Sequence, residues 1–213
     1  MSIDRSVLIA MDQPLIVIRA GNPTYDEGLL CGRYLNEAAE GFFRFMLGRQ
    51  FAQIIAKAYT QPNHSYSFQN VSFAEKDSSI VGMALGFTSK QYRHFSDQPL
   101  KEAAGSLNFR MKAVKMLFAP MLRIIETIDD GDFYLLAMAI DKDLRGKGVG
   151  SSLMNCIKER ARANGSARLS LDVSANNEIA RQVYENWGMR VESQWPKRLP
   201  LPGLRFYRMV KGI

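Results

Sequence analysis

The densest group of residues that could do chemistry is the glycine-rich segment Arg145-Gly-Lys-Gly-Val-Gly150, followed by Ser151. Its three glycines let a ligand approach the main chain closely. Apolar residues at helical spacing predict a helix that begins in this loop, and the first amides of a helix have no intrahelical acceptor. These amides lie at the positive end of the helix dipole, a favourable place for phosphate. Because Arg145 and Lys147 add positive charge, the segment indicates an anion site.

Two common phosphate-binding motifs do not match this segment. A P-loop has the pattern GxxxxGK followed by Ser or Thr, which is not present here. The Rossmann pattern GxGxxG would place glycine where Ser151 stands, and no early βαβ unit surrounds it. A glycine turn with a purely structural role remains the alternative to a phosphate site.

The same segment resembles the Gln/Arg-x-x-Gly-x-Gly/Ala signature of the GNAT superfamily of N-acetyltransferases, through Arg145, Gly148 and Gly150. Further along, Asn177-Glu-Ile-Ala180 and Tyr184-Glu-Asn-Trp-Gly-Met189 resemble the family pattern Asn-x-x-Ala-x-x-x-Tyr-x-x-x-Gly-Phe, with Met189 in place of the final Phe. The last strand of the chain is also similar to that of the family. The resemblance is best over about residues 133–211.

The resemblance implies an acyltransferase that takes acetyl-coenzyme A as co-substrate and passes its acetyl group to an amine, which attacks the thioester directly. The glycine loop and helix start would hold the pyrophosphate, and the edge of a central strand would hold the pantetheine arm and supply an N–H for the oxyanion. Asn177 would orient the arm from the far side. The cofactor-binding residues implied are Met138, Ala139, Ile140, Arg145, Gly146, Lys147, Gly148, Val149, Gly150, Ser151, Asn177 and Tyr184.

Tyr184 is the catalytic candidate that the resemblance implies, as the general acid for the departing thiolate. A free phenol has a pKa of about 10 and is therefore protonated at neutral pH. The alternatives are a packing residue, or a hydrogen bond to the sulfur without proton transfer. No general base is assigned, because each acidic residue near the central strand also suits a solvated loop; these are Glu75, Glu126, Asp129, Asp130 and Asp132.

The elements that must position these residues form an α/β pattern. The first strand is predicted at residues 15–18, helices over about 25–59 with breaks at Gly41 and Gly48, and a hairpin over about 65–87. A helical insertion is expected at about 88–131, before a buried strand at 133–140. The second half alternates helix and strand, with Ser174 and Asn176 as predicted caps and a proline-rich turn before the last strand.

With the family resemblance, the expected fold is one domain over residues 1–213. Its mixed, mostly antiparallel sheet would be flanked by helices and splayed at the cofactor strand. The apolar segment around Phe42–Leu47, with Phe51, Ile54 and Ile55, suits core packing; a membrane or partner surface is the alternative.

Composition narrows the functional classes further. The net charge of +7 and pI near 9.5 suit a phosphate-bearing ligand, but the basic residues form no tract, so nucleic-acid binding is not expected. No apolar run approaches a membrane span, and two isolated cysteines favour a reducing, cytoplasmic setting. The two histidines have no partners for a metal site or hydrolase triad.

The partner expected is therefore a small-molecule or peptide amine, and the protein would be a monomer or homodimer. A non-catalytic relative that binds coenzyme A and acts as a regulator or scaffold is the second functional hypothesis.

Overall fold

The computed structural model describes residues 16–119, 127–196 and 205–213. The strands in this part of the chain are β1 (Val17–Ala20), β2 (Val71–Lys76), β3 (Ser79–Thr88), β4 (Asp132–Ile140), β5 (Arg168–Ser174), β6 (Arg190–Trp195) and β7 (Phe206–Gly212). The helices are α1 (Tyr25–Ala38), α2 (Phe42–Leu47), α3 (Phe51–Tyr59), α4 (Ser89–Tyr92), α5 (Gln98–Ala104), α6 (Asn108–Leu117), α7 (Val149–Ala163) and α8 (Glu178–Asn186).

The strands form one sheet in the order β1-β2-β3-β4-β5-β7-β6. Neighbouring strands are antiparallel except for β4 and β5, which are parallel. The expected α/β class with a mostly antiparallel sheet is confirmed. The predicted helical insertion before β4 is also confirmed: its helices α4, α5 and α6 lie within the described residues.

The parallel pair β4 and β5 forms a fork. Its strands pair only from Asp132 to Leu135 on β4 and from Arg168 to Leu171 on β5. The β3–β4 register shifts at this point, so that Leu136 is the extra residue of a bulge. Leu136 and Ala137 consequently pack against the same face of the sheet. Beyond the bulge the two strands separate, which is the splay that the sequence resemblance implies.

Helices cover both faces of the sheet. On the first face, α1, α2, α3 and the inserted helices pack on side chains that include Phe73, Leu85 and Tyr134. On the second face, α7 packs its buried side chains (Val149, Leu153, Met154, Ile157 and Ala161) against residues such as Leu169 and Met209. The predicted core role of the apolar segment is confirmed for Phe43, Met46, Leu47, Ile54 and Ile55, which are all buried.

Two local predictions were wrong. Residues 65–70 are not part of β2, because the Ser67 hydroxyl accepts a hydrogen bond from the Gln69 amide and starts a short 3₁₀ turn, Phe68–Asn70. Asn177 rather than Ser174 or Asn176 caps α8, since its side-chain oxygen accepts from the Ala180 amide at 3.0 Å.

The predicted strand at 15–18 is β1, shifted to Val17–Ala20. Most of the proline-rich turn, at 197–204, lies outside the described residues.

A buried ion pair connects the strands of the fork near the point where β4 and β5 begin to separate. Arg208 on β7 donates to both carboxylate oxygens of Asp172 on β5, at 2.6 and 2.9 Å. Tyr134 on β4 donates its hydroxyl to the same carboxylate at 2.8 Å. Burial and the neighbouring Asp172 charge raise the pKa of Tyr134 well above 10, so this phenol remains a donor. The three side chains link β4, β5 and β7 where β4 and β5 begin to separate.

Replacing Arg208 with methionine is expected to lower the free energy of unfolding by about 3–5 kcal/mol, because Asp172 would be a buried charge without its cation. The matched control is Arg162→Met, whose partner Glu159 lies with it on the exposed face of α7. That pair should contribute at most about 0.5 kcal/mol. Urea unfolding of both variants measures the difference, and equal losses would contradict the role given to Arg208.

Among the helices of the described residues, none combines enough length with enough apolar character to cross a bilayer.

Candidate active site

The glycine loop joins β4 to α7 at the open end of the fork. The backbone of Gly146 and Gly148 is left-handed, with φ of 75° and 84°, a conformation that side chains with a Cβ rarely adopt. Gly148 is the N-cap of α7 and supplies no side-chain cap. A Cβ on either residue would meet no atom within 4 Å, so the space in front of the loop is open. The glycines therefore fix the turn and leave the helix start accessible.

The amides at this helix start are unpaired. Within the described residues, the backbone N–H groups of Gly146, Gly148, Val149, Gly150 and Ser151 have no hydrogen-bond acceptor, whereas Ser152 already donates to Gly148. Gly150 fits closely, because a Cβ there would lie 3.1 Å from Ile140 Cδ1. Five unpaired donors at the positive end of a 15-residue helix are an arrangement suited to binding an anion.

Arg145 shapes the loop from the side. Its Nε donates to the Ile140 carbonyl at 3.2 Å and its Nη2 donates to Glu37 on α1 at 2.5 Å. Asp141, just beyond β4, accepts from Tyr34 at 3.0 Å and pairs with Arg33 at 3.1 Å. Helix α1 thus supports the loop through three residues that the sequence motifs did not single out. Nothing local in the sequence connects α1 to this loop, since the partners are more than 100 positions apart.

Asn177 lies on the other side of the fork, after β5. Its Oδ1 caps α8 and its Nδ2 donates to Glu40, in the α1–α2 turn, at 3.2 Å. The end of α1 and the turn after it therefore contact both loops at the open end of the fork, through Glu37 on one side and Glu40 on the other. Because Asn177 uses its oxygen as a cap and one Nδ2 hydrogen on Glu40, the second Nδ2 hydrogen is the side-chain donor left for a ligand.

The edge of β4 beyond the bulge is the third part of the site. Met138, Ala139 and Ile140 pair with β3 on one side, and in the described part of the chain no strand pairs with them on the side of β5. An extended group of a ligand can therefore bind there as an added strand does. The structure brings this edge, the glycine loop and Asn177 to the same end of the fork.

Tyr184 on α8 packs against the same apolar cluster as Met138 and Ile140. Its ring is half-buried, and its hydroxyl has no hydrogen-bond partner among the described residues. Burial raises the pKa of this phenol to about 12, so it is a proton donor throughout the neutral range. The position agrees with a donor near the fork, and also with the packing role that the sequence left open.

The acidic residues considered as bases are ion-paired wherever the structure describes them. Asp132 and Asp129 pair with Arg168, Asp130 with Arg93, and Glu75 with Arg19. Glu126 lies outside the described residues. Each of the four described carboxylates therefore has a structural partner, and none is assigned as a general base.

Comparison with known proteins decides the family. The model of the acetyltransferase (GNAT) family matches residues 33–189, well over half of the chain, and includes the last part of α1, the fork, the glycine loop and α8. The chain belongs to the GNAT acetyltransferase family. The start of the match at Arg33 coincides with the helix that supports the glycine loop.

Solved structures show that this GNAT protein has the fold of other acetyltransferases. A crystal structure of an acetyltransferase has a TM-score of 0.65 and 21% identity, covering 92% of this chain and 99% of the other. An N-acetyltransferase from Staphylococcus aureus has a TM-score of 0.63 and 17% identity, with coverage of 92% and 100%.

One curated relative also matches this GNAT protein. It is a mycothiol acetyltransferase from Brachybacterium faecium, 34% identical over 65 residues. The match covers 30% of this chain and 20% of the relative, so this chain matches only about a fifth of that protein's length.

Proposed function

We propose that this GNAT protein transfers the acetyl group of acetyl-coenzyme A to the amine of a small molecule or peptide. The observation that carries the proposal is the placement of five unpaired amides beside the unpaired edge of β4 at one end of the fork. Family membership supports it, because GNAT proteins generally use acetyl-coenzyme A. When bound, this co-substrate supplies an acetyl group activated as a thioester.

The residues present fit such a ligand. The unpaired amides from Gly146 to Ser151 would hold the pyrophosphate, with Lys147 adding exposed positive charge. The main chain of Met138 to Ile140 would hold the pantetheine arm, and the amide of Asn177 would contact it from the β5 side. Arg145 would position the loop through Glu37 rather than bind phosphate directly, since its guanidinium is already engaged.

Two groups would act on the reacting atoms. A backbone N–H at the exposed edge of β4 would stabilise negative charge on the carbonyl oxygen; such a donor is typically worth about 3–4 kcal/mol. Tyr184 would donate its proton to the departing thiolate, since burial keeps this phenol protonated across the neutral range. The attacking amine must itself be neutral. As its C–N bond forms and the C–S bond breaks, the proton that the nitrogen loses would return to the Tyr184 phenolate through water, which balances the proton given to sulfur.

Two measurements test the proposal in sequence. Calorimetric titration of the purified protein with acetyl-coenzyme A should show saturable binding with a Kd in the micromolar range, roughly −8 kcal/mol. Thiol release should then rise above background with at least one member of an amine panel. Binding without thiol release on any amine would favour the non-catalytic alternative, and absence of binding would refute the proposal as a whole.

A further inference from the structure

A cavity of about 320 Å³ lies on the first face of the sheet, beneath the inserted helices. Its walls come from α2, β3, the 64–66 segment and the insertion, and they include Leu136, the bulge residue of β4. Leu136 therefore lies between the cavity and the fork, where the thioester would lie. The cavity volume is near the lower end of the range for small-molecule pockets, so it suits a small molecule better than a folded partner.

Five phenylalanine and tyrosine rings contribute to the walls of this cavity. Phe87 stacks on Tyr92 with centroids 5.6 Å apart and an interplanar angle of 7°, and Phe95 meets Phe87 edge-on at 5.1 Å. Phe42 and Tyr66 line the same space. Such walls favour a flat apolar group, because aromatic pairs gain energy beyond the area that they bury. Tyr92 and Phe95 belong to the insertion, so this surface is a property of the inserted segment.

Charged groups are scarce in the lining. Asp97 and Lys115 are its charged side chains, and they form a partly exposed ion pair at 3.1 Å. His64 is buried and neutral: its Nε2 donates to the Ala58 carbonyl at 2.8 Å, its Nδ1 accepts from the Tyr66 amide, and burial lowers its pKa. A ligand with several ammonium groups would need several carboxylates, and the lining offers one that is already paired.

We propose that this cavity is the acceptor site and that it selects a primary monoamine attached to an aromatic body. The inference rests on the proposed acetyl transfer. Asp97 at the exposed rim would attract the ammonium form of the amine. Deeper in, the apolar walls disfavour charge and lower the pKa of the amine. The neutral amine needed for attack is thereby obtained without a dedicated base, in agreement with the paired carboxylates around the fork.

Ser65 provides a variant that fills the cavity without breaking a contact. It lines the cavity, is half-buried, and its hydroxyl has no hydrogen-bond partner among the described residues. Ser65→Met should lower kcat/KM for 2-phenylethylamine by about tenfold, through KM, because overfilled sites bind less well. The KM for acetyl-coenzyme A should not change. Ser79→Met, at the exposed start of β3, is the matched control.

Charge variants at the rim test the class of substrate. Asp97→Asn should lower kcat/KM for 2-phenylethylamine by about fivefold, and Lys115→Met should raise it by about twofold because Asp97 loses its competing cation. The comparison substrates are 1,4-diaminobutane and phenylalanine. If either is the better substrate, or if Lys115→Met lowers turnover because a carboxylate is being recognised, the monoamine assignment is overturned.

Direct binding separates this inference from the proposed function. A fluorinated phenylethylamine should bind the coenzyme A complex, as seen by ¹⁹F NMR, and should lose affinity in Ser65→Met but not in Ser79→Met. Such binding without any thiol release would support the cavity as a site for aromatic monoamines, and would refute acetyl transfer. Thiol release with other amines, together with equal behaviour of the two serine variants, would refute the cavity assignment and leave acetyl transfer intact.

Discussion

Replacement of Gly148 by valine is expected to raise the Kd for acetyl-coenzyme A by about 100- to 1,000-fold. Gly148 has a φ of 84° and directly precedes the unpaired amides of α7. A β-branched side chain would occupy the open space where the pyrophosphate would lie, and would displace the loop. Loss of two hydrogen bonds to a charged group, at about 1.5–2 kcal/mol each (the lower part of the usual range), accounts for the predicted change. Calorimetric titration measures it.

Backbone strain must be separated from obstruction of the anion site. Gly165, in the turn after α7, has a φ of 72° and open space around its Cα, so Gly165→Val is a matched control for strain. It should lose comparable stability in urea and keep its affinity for acetyl-coenzyme A. Gly148→Asn should keep most of its stability but lose affinity for acetyl-coenzyme A. Asparagine tolerates left-handed backbone but still adds a side chain in front of the amides. Unchanged affinity in both Gly148 variants would refute the anion site.

The local parts of the site were predictable because short-range chemistry determines them. Glycines at Gly146 and Gly148 permit the left-handed turn, and the apolar face of α7 follows them directly. The same is true of β4, whose apolar run reflects burial on both faces. The predictions were wrong where a side chain accepts a hydrogen bond from a nearby backbone amide. Ser67 does so in a 3₁₀ turn that had been predicted as strand, and Asn177 does so as the cap of α8.

Long-range pairs could not be read from the sequence. Glu37 with Arg145 and Glu40 with Asn177 connect α1 to loops that follow β4 and β5, and each carboxylate looks like an ordinary surface residue in the chain. The position of the bulge at Leu136 depends on pairing with β3, which no local pattern specifies. The aromatic cavity depends in the same way on how the inserted helices pack, so its lining emerges only in three dimensions.

The second large effect is expected at Tyr184. Tyr184→Phe should lower kcat by about 100-fold, the usual contribution of a general acid, with little change in the KM for acetyl-coenzyme A. The hydroxyl makes no hydrogen bond to the described residues, so its removal should leave stability nearly unchanged. Tyr207→Phe is the matched control, because Tyr207 packs against the same cluster. Steady-state turnover of both variants measures the difference.

The pH dependence of turnover tests whether Tyr184 stays protonated, and comparison with Tyr184→Phe tests whether it donates its proton. Burial raises the pKa of the phenol to about 12, so its donating form persists as the pH rises through 10, where an exposed tyrosine would lose half of its protons. Wild-type kcat should therefore show no descending limb up to a pH of about 10.5. In Tyr184→Phe the thiolate leaves without a donor, so kcat should stay low across the whole range. A wild-type decline centred near pH 10 that is absent in Tyr184→Phe would contradict the raised pKa. Equal kcat in the wild type and Tyr184→Phe would contradict acid catalysis and leave Tyr184 as a packing residue beside the fork.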